Sequence, residues 1–153
     1  MRCRYCFYHD VAEHREHAVT SRMSAATAHA IIDKALALAP DAQVAFAFQG
    51  GEPTLAGLPF FRDFVAYVEA HHESQTVTYA LQTNGLAVAA DPAWADFLAR
   101  HRFLVGVSVD GTKDIHDYLR PDAAGAGTYG RIMRAIARLK DDGVEFNVLT
   151  VLT

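Results

Sequence analysis

Four short apolar runs recur along the chain, Val44–Phe48, Val77–Leu81, Phe103–Val107 and Phe146–Leu152, and helix-patterned segments separate them. A strand that alternates with an amphipathic helix cannot meet its successor through a hairpin, so the pattern specifies parallel strands joined by crossover helices. Caps and spacing mark those helices. Ser24 is placed to cap one with Ile31, Ala35 and Leu38 on one face and Pro40 beyond its end. Pro59 opens a second, with Phe61, Phe64, Val65 and Val68 inward. Asp91 and Pro92 start a third that buries Trp94, Phe97 and Leu98, and Thr128 is placed to cap a fourth with Ile132, Ile136 and Leu139 inward and Gly143 at its end. The fold class is therefore α/β, with right-handed crossovers expected. The near-continuous apolarity of the runs predicts burial on both faces of the sheet. His9–Thr20 carries neither pattern and reads as irregular.

Three polar, glycine-bearing segments directly follow apolar runs: Gln49–Glu52, Gln82–Gly85 and Ser108–Gly111. In a parallel sheet or barrel, such segments lie on the rim where ligands bind.

Composition narrows the partners. The chain has 153 residues, 51% of them hydrophobic, enough for one core, and residues 1–153 are read as a single domain or part of one. Lys and Arg total 14 against 18 Asp and Glu, with no basic block, which argues against a nucleic-acid groove or an anionic membrane surface. No apolar run approaches the roughly 20 residues that span a bilayer, and no signal-peptide pattern opens the chain. The cytoplasm is the expected compartment.

The two cysteines, Cys3 and Cys6, stand two residues apart, which favours a thiolate site over a disulfide framework. A CxxC pair alone serves zinc half-sites, redox pairs and iron–sulfur clusters alike. A zinc site would recruit His14 and His17. A redox pair wants a helix immediately after the motif, whereas here the first helix starts much later. Elsewhere, Gly50 and Gly51 of Gln49-Gly50-Gly51-Glu52-Pro53 either form a turn or let the backbone approach a ligand, with Glu52 adding negative charge beside it. Asn84-Gly85 and Asp110-Gly111 are turn-formers in their own right. His116 and Asp117 read as a solvated helical turn or as site residues. Arg131 and Arg134, on the last helix, are candidates for bidentate carboxylate recognition. His9, His14, His17, His71, His72 and His101 show no ligand spacing across strands and read as surface residues.

The texts CRYCFY at Cys3–Tyr8, FQGGEPT at Phe48–Thr54, LQTNG at Leu81–Gly85, SVDG at Ser108–Gly111 and IHDYLRP at Ile115–Pro121 together resemble the radical S-adenosylmethionine (SAM) superfamily, and within it the anaerobic sulfatase-maturating group. The resemblance extends over essentially the whole chain and implies an incomplete parallel (β/α) barrel. It implies a [4Fe-4S] cluster held through Cys3 and Cys6, with S-adenosylmethionine bound to its open iron and cleaved to a 5′-deoxyadenosyl radical. Tyr5, Gly50, Gly51, Glu52, Asn84, Ser108 and Arg134 are implied as contacts to that cofactor, and Tyr8 and Gln49 as contacts to a peptide. The implied reaction oxidises a cysteine or serine of a sulfatase polypeptide to formylglycine, with electrons from a donor such as flavodoxin or ferredoxin. Within the class the alternative is another peptide-modifying radical SAM enzyme with auxiliary clusters; outside it, a small non-catalytic zinc module. The group's general base, an aspartate, would fall beyond Thr153, so no catalytic residue is assigned within the chain. The cluster motif of the group has a further cysteine that would fall two positions before Met1. The chain is accordingly expected to be a fragment, with its first strand and later strands missing and inactive by itself.

That spacing is directly testable: the reading frame upstream of Met1 is expected to encode a cysteine two positions earlier, behind a short apolar strand, and genomic sequencing that finds a stop codon or unrelated text there overturns the expectation.

Overall fold

The computed structural model describes residues 1–6, 8, 22–38 and 41–152. The whole His9–Thr20 stretch, with His9, His14 and His17, and also Pro40 lie outside the described residues. The described order is α1 (Ala25–Ala37), β1 (Gln43–Phe48), a 3-10 turn (Pro53–Ala56), α2 (Leu58–His71), β2 (Thr76–Thr83), α3 (Leu86–Ala90), α4 (Ala93–Arg100), β3 (Leu104–Ser108), α5 (Lys113–Leu119), α6 (Tyr129–Asp141) and β4 (Phe146–Leu149). All neighbouring strands pair in parallel and in chain order, β1-β2-β3-β4. Sequential parallel order leaves the sheet open, with β1 and β4 as its edges among the described residues. This is the incomplete barrel expected. No helix among the described residues is long and apolar enough to cross a membrane.

Two apolar clusters hold the helices on the sheet. Phe61, Val65, Leu81, Trp94, Phe97, Leu98, Phe103, Val105, Val107, Ile132 and Leu139 belong to the larger, which spans β2, β3 and helices α2, α4 and α6. Ala28, Ile32 and Leu36 of α1 join Phe64 and Val68 of α2 in the smaller, against Val44, Phe46 and Phe48 of β1. Only one face of β1 is covered in this way, since Gln43, Ala45 and Ala47 are exposed between those three. Burial on both faces is thus not what the strand has. Its apolar look comes partly from alanines, which read as core yet leave the other face shallow.

Local chemistry explains most boundaries. The Ser24 hydroxyl accepts from Thr27 N, capping α1 as expected. The buried stripe of α1 is nevertheless Ala28, Ile32 and Leu36, while Ile31 is 43% and Leu38 85% exposed. An alanine-rich helix offers two apolar stripes one residue out of phase, and packing against Phe64 and Val68 selects between them. The Asp91 carboxylate accepts from Ala93 N ahead of α4. Gly143, at φ 72°, ends α6 with its N–H on Lys140 O and the next N–H on Leu139 O. Thr128 precedes α6 but its hydroxyl does not cap it; Asp117 of α5 accepts from Tyr129 N instead. Short helix α3 lacks enough sequence period to be read in advance.

Phe61 is fully buried, with ring centroids 4.8 Å from Phe48 and 5.2 Å from Trp94. Phe61→Ala is expected to cost about 3–5 kcal/mol in urea unfolding. A loss below about 1 kcal/mol would mean that the site collapses freely and that the aromatic cluster is not what joins α2 to the sheet.

Candidate functional site

Every strand delivers its following loop to the same rim, and the loop after β1 is the most constrained. Gly50 and Gly51 take φ of 99° and 52°, in the region where a side chain is strained. A Cβ at Gly51 would meet nothing within 4 Å, so that glycine is required by backbone shape and leaves an open approach to it. Gly50 faces the ring of Tyr8, whose hydroxyl lies 3.6 Å from where its Cβ would be. The turn thereby carries Glu52 to the rim. Glu52 Oε1 accepts from Thr54 N (3.1 Å), the Thr54 hydroxyl (2.6 Å) and the Thr83 hydroxyl (2.8 Å), and Oε2 accepts from Asn84 N at 2.8 Å. The carboxylate therefore staples the end of β1 to the end of β2. Oε1 is filled, whereas Oε2 has one bond and room for a further donor. The Asn84 side-chain oxygen accepts from Leu86 N, fixing the turn into α3.

The second constellation gathers after β3. Asp110 is 1% exposed. Its Oδ2 accepts from the Tyr5 hydroxyl at 2.5 Å and from Arg120 Nε at 2.7 Å, and its Oδ1 accepts from Val151 N at 3.1 Å. Burial works against the charge of Asp110, but the bonds from Tyr5, Arg120 and Val151 and the adjacent guanidinium outweigh it and hold its pKa below the usual value. Burial, followed by the bond to Asp110, pushes the Tyr5 phenol well above its ordinary range. The Arg120 guanidinium then stands 3.9 Å from Cys3 Sγ and over the Tyr5 ring at 5.3 Å.

Cys3 and Cys6 are free thiols, both half-buried, in a turn closed by Cys6 N donating to Cys3 O. The turn rests on the end of α5, where Arg2 N donates to Pro121 O and Arg4 N to Leu119 O. Burial pushes the Cys3 thiol up against the opposing pull of Arg120. Two sulfur donors spaced on one turn fit a soft metal or a cluster, whose positive charge displaces the thiol protons on binding. Among the described residues no group of three or more His, Cys, Asp or Glu side chains could hold a metal ion. A zinc site would need His14 and His17, which lie outside the described residues.

The expected site residues therefore stand as follows. Tyr5, Gly50, Gly51, Glu52, Asn84 and buried Ser108 all lie at the rim with the two cysteines. Tyr8 and Gln49 flank the Gly50 turn, Gln49 being exposed beside an apolar cavity of about 510 Å³ at the β1 edge. Arg134 is exposed on α6, and Arg131 is held by Asp122 at 2.6 Å. Of the histidines read as surface residues, His71 and His72 are exposed, while the His101 side chain, 21% exposed, pairs with Glu69. Sequence reasoning did not single out Asp110 or Arg120 as site residues. Their signal was the Asp of SVDG and the Arg of IHDYLRP, separated by 10 positions and joined only by the fold. His116 is not solvated: it is fully buried, with Nδ1 accepting from Asp110 N and Nε2 against the Thr128 hydroxyl.

The family model for the Radical SAM superfamily matches residues 1–153. The chain is similar to the cysteine-type anaerobic sulfatase-maturating enzyme of Clostridium novyi (strain NT), 42% identical over 99% of this chain and 40% of the relative. It is also similar to the serine-type anaerobic sulfatase-maturating enzyme of Klebsiella aerogenes, 33% identical over 98% of this chain and 36% of the relative. Among solved structures, native anSMEcpe with bound AdoMet and Cp18Cys peptide superimposes with a TM-score of 0.89 at 38% identity, covering 100% of this chain and 40% of that one. The chain thus spans about 40% of the length of the first of these curated relatives.

Burial, then the Arg120 charge, depresses the pKa of His116 below 6.5, so its neutral form is the folded one. The unfolded chain takes up a proton first as pH falls, so the contribution of His116 is complete above its unfolded pKa of about 6.5 and is lost progressively below it. Urea midpoints from pH 7 to 5 are expected to fall more steeply for the native chain than for His116→Gln. Equal slopes would overturn the assignment of a buried neutral imidazole.

Proposed function

The chain belongs to the radical SAM superfamily, and from that premise we propose that its parent protein is an anaerobic sulfatase-maturating enzyme that oxidises a cysteine or serine of a sulfatase polypeptide to formylglycine. One observation carries the reading: the rim gathers a thiol pair, a glycine turn with a half-filled carboxylate and a fixed guanidinium, although Cys3 and Arg120 lie 117 positions apart. The likeness to both cysteine-type and serine-type enzymes supports the substrate class while leaving both residues as candidates. We place the protein in the cytoplasm, drawing electrons from a flavodoxin-like or ferredoxin-like donor.

A [4Fe-4S] cluster and S-adenosylmethionine, when bound, supply a carbon-centred 5′-deoxyadenosyl radical that can take a hydrogen atom from a substrate side chain. Cys3 and Cys6 would give two thiolates to that cluster. Gly50 and Gly51 would let backbone carbonyls approach the methionyl ammonium, and the open position on Glu52 Oε2 would accept from it. Asn84, Ser108 and Tyr5 complete the polar wall. Recognition of the methionyl carboxylate, given to Arg134 on sequence grounds, we assign first to Arg120, whose guanidinium is already at the rim with donors to spare. Tyr8 and Gln49, at the mouth of the Gly50 turn, would contact the peptide.

The full-length parent, reconstituted with iron and sulfide without oxygen and then reduced, is expected to release 5′-deoxyadenosine from S-adenosylmethionine. Cys3→Ala or Cys6→Ala should abolish this together with the cluster absorbance. Glu52→Ala should retain the cluster but weaken S-adenosylmethionine binding by about 1.5–3 kcal/mol, the scale of a charge-assisted hydrogen bond. Stoichiometric zinc without iron–sulfur absorbance would reverse the reading. Cleavage without oxidation of a sulfatase peptide would leave the superfamily in place and point to another peptide-modifying reaction.

A further inference from the structure

Asp110 bridges three separate parts of the rim. Its carboxylate joins the cysteine turn through Tyr5, the end of α5 through Arg120, and the segment after β4 through Val151. A second line of bonds braces it from behind. Asp110 N donates to His116 Nδ1 (3.2 Å), which obliges the neutral imidazole to carry its proton on Nε2. Nε2 then donates to the Thr128 hydroxyl (3.0 Å), and that hydroxyl donates to Arg120 O at 2.7 Å. Every hydrogen in this loop has one direction, and His116 and Thr128 are both fully buried. The loop begins at the backbone of Asp110 and ends at the backbone of Arg120. Both partners of the ion pair are thus held at side chain and main chain.

What this double grip fixes is the direction of one guanidinium. Arg120 points an N–H at Cys3 Sγ, 3.9 Å away, with Asp110 on its Nε and the Tyr5 ring beneath it. We propose that Asp110 is a positioning residue that aims Arg120 at the Cys3 sulfur and thereby tunes the reduction potential of the cluster held there, with His116 and Thr128 as its brace. The inference rests on the reading of Cys3 as a cluster ligand. A cation beside a ligating sulfur favours the reduced, more negative cluster and raises its potential.

The sign of one substitution separates positioning from a simple field. As a mere anion near the cluster, Asp110 would lower the potential, and Asp110→Asn would raise it. As the anchor of Arg120, its loss frees the guanidinium, and the potential falls. In the reconstituted full-length parent, potentiometric titration followed by electron paramagnetic resonance is expected to show Asp110→Asn and Arg120→Gln both shifted to more negative potential. The double variant should lie no lower than Arg120→Gln alone, and KM for S-adenosylmethionine should rise about tenfold in Asp110→Asn with a smaller change in kcat. Thr128→Val keeps every charge and the side-chain volume, so it should shift the potential in the same direction by less, and it carries the test if Asp110→Asn does not assemble. A rise or no change in potential for Asp110→Asn, an unchanged potential for Arg120→Gln or Thr128→Val, or an additive double variant overturns the proposal. A parent that takes up no iron–sulfur cluster overturns both this inference and the function it rests on. One whose potentials behave as stated but which never oxidises a sulfatase peptide overturns the function alone.

Discussion

Because the four described strands all run in the same direction, their carboxyl ends share one rim. That constraint is geometric and originates in the helices, which prevent consecutive strands from turning back on each other. The apolar clusters enforce it from beneath: Phe61 and Trp94 tie α2 to α4, and Ile132, Ala135 and Leu139 seat α6 on the same core. Once the sheet is parallel, residues that are remote in the chain have no choice but to meet. The glycine turn after β1, the asparagine after β2 and the aspartate after β3 become neighbours without any sequence contact between them.

Such a rim concentrates loop ends with unsatisfied backbone groups, and two carboxylates resolve them. Glu52 accepts the Asn84 N–H and two threonine hydroxyls, and Asp110 accepts the Val151 N–H along with its side-chain partners. Each carboxylate therefore bridges adjacent strand ends, β1 to β2 and β3 to β4. Their environments differ in a way that bears on chemistry. Asp110 is sealed and paired with a cation, whereas Glu52 is half-buried and keeps an open position on Oε2. A buried carboxylate with its ion partner is poor at taking a new ligand, because separating the pair would strand a charge in low dielectric. The half-buried one carries no such penalty.

The sequence was most legible where one physical rule dominated. Four apolar runs gave four strands, and Pro59, Asp91 and Gly143 marked helix boundaries through backbone chemistry that needs no tertiary context. It was least legible where two rules competed. In α1 the alanines made two stripes equally apolar, and contact with Phe64 and Val68 decided for Ile32 over Ile31. Thr128 had the chemistry of a cap, but a buried hydroxyl is drawn to the strongest acceptor within reach, here Arg120 O, and the cap fell to Asp117. The site showed the same division. Cys3, Cys6, Gly51 and Glu52 were singled out because their spacing is local, and the fold brings them to one rim. Asp110 and Arg120 were not, and His116 stayed undecided between solvent and site, since each owes its place to partners that only the fold supplies; a guanidinium on an exposed helix face such as Arg134 looks the same in sequence as one sealed at a rim.

How the cysteine turn is held explains why Arg120 is more than an ordinary buried arginine. The turn is not fastened to a described strand; its backbone bonds go to Leu119 and Pro121, on either side of Arg120. Arg4 adds a bond to Tyr118 O and stacks on the Tyr118 ring at 4.2 Å. The two thiols and the guanidinium therefore ride on one support, the carboxyl end of α5, and a displacement of that end carries all three together. What fixes this support to the sheet is chiefly polar: the Asp110 carboxylate on one side and the His116–Thr128 brace on the other. An apolar contact tolerates small slips because it has no preferred direction, whereas a closed loop of hydrogen bonds with defined donors and acceptors does not. Directional bonding thus holds the orientation of a charged group relative to a sulfur at the end of α5, whereas the non-directional packing beneath the sheet secures proximity.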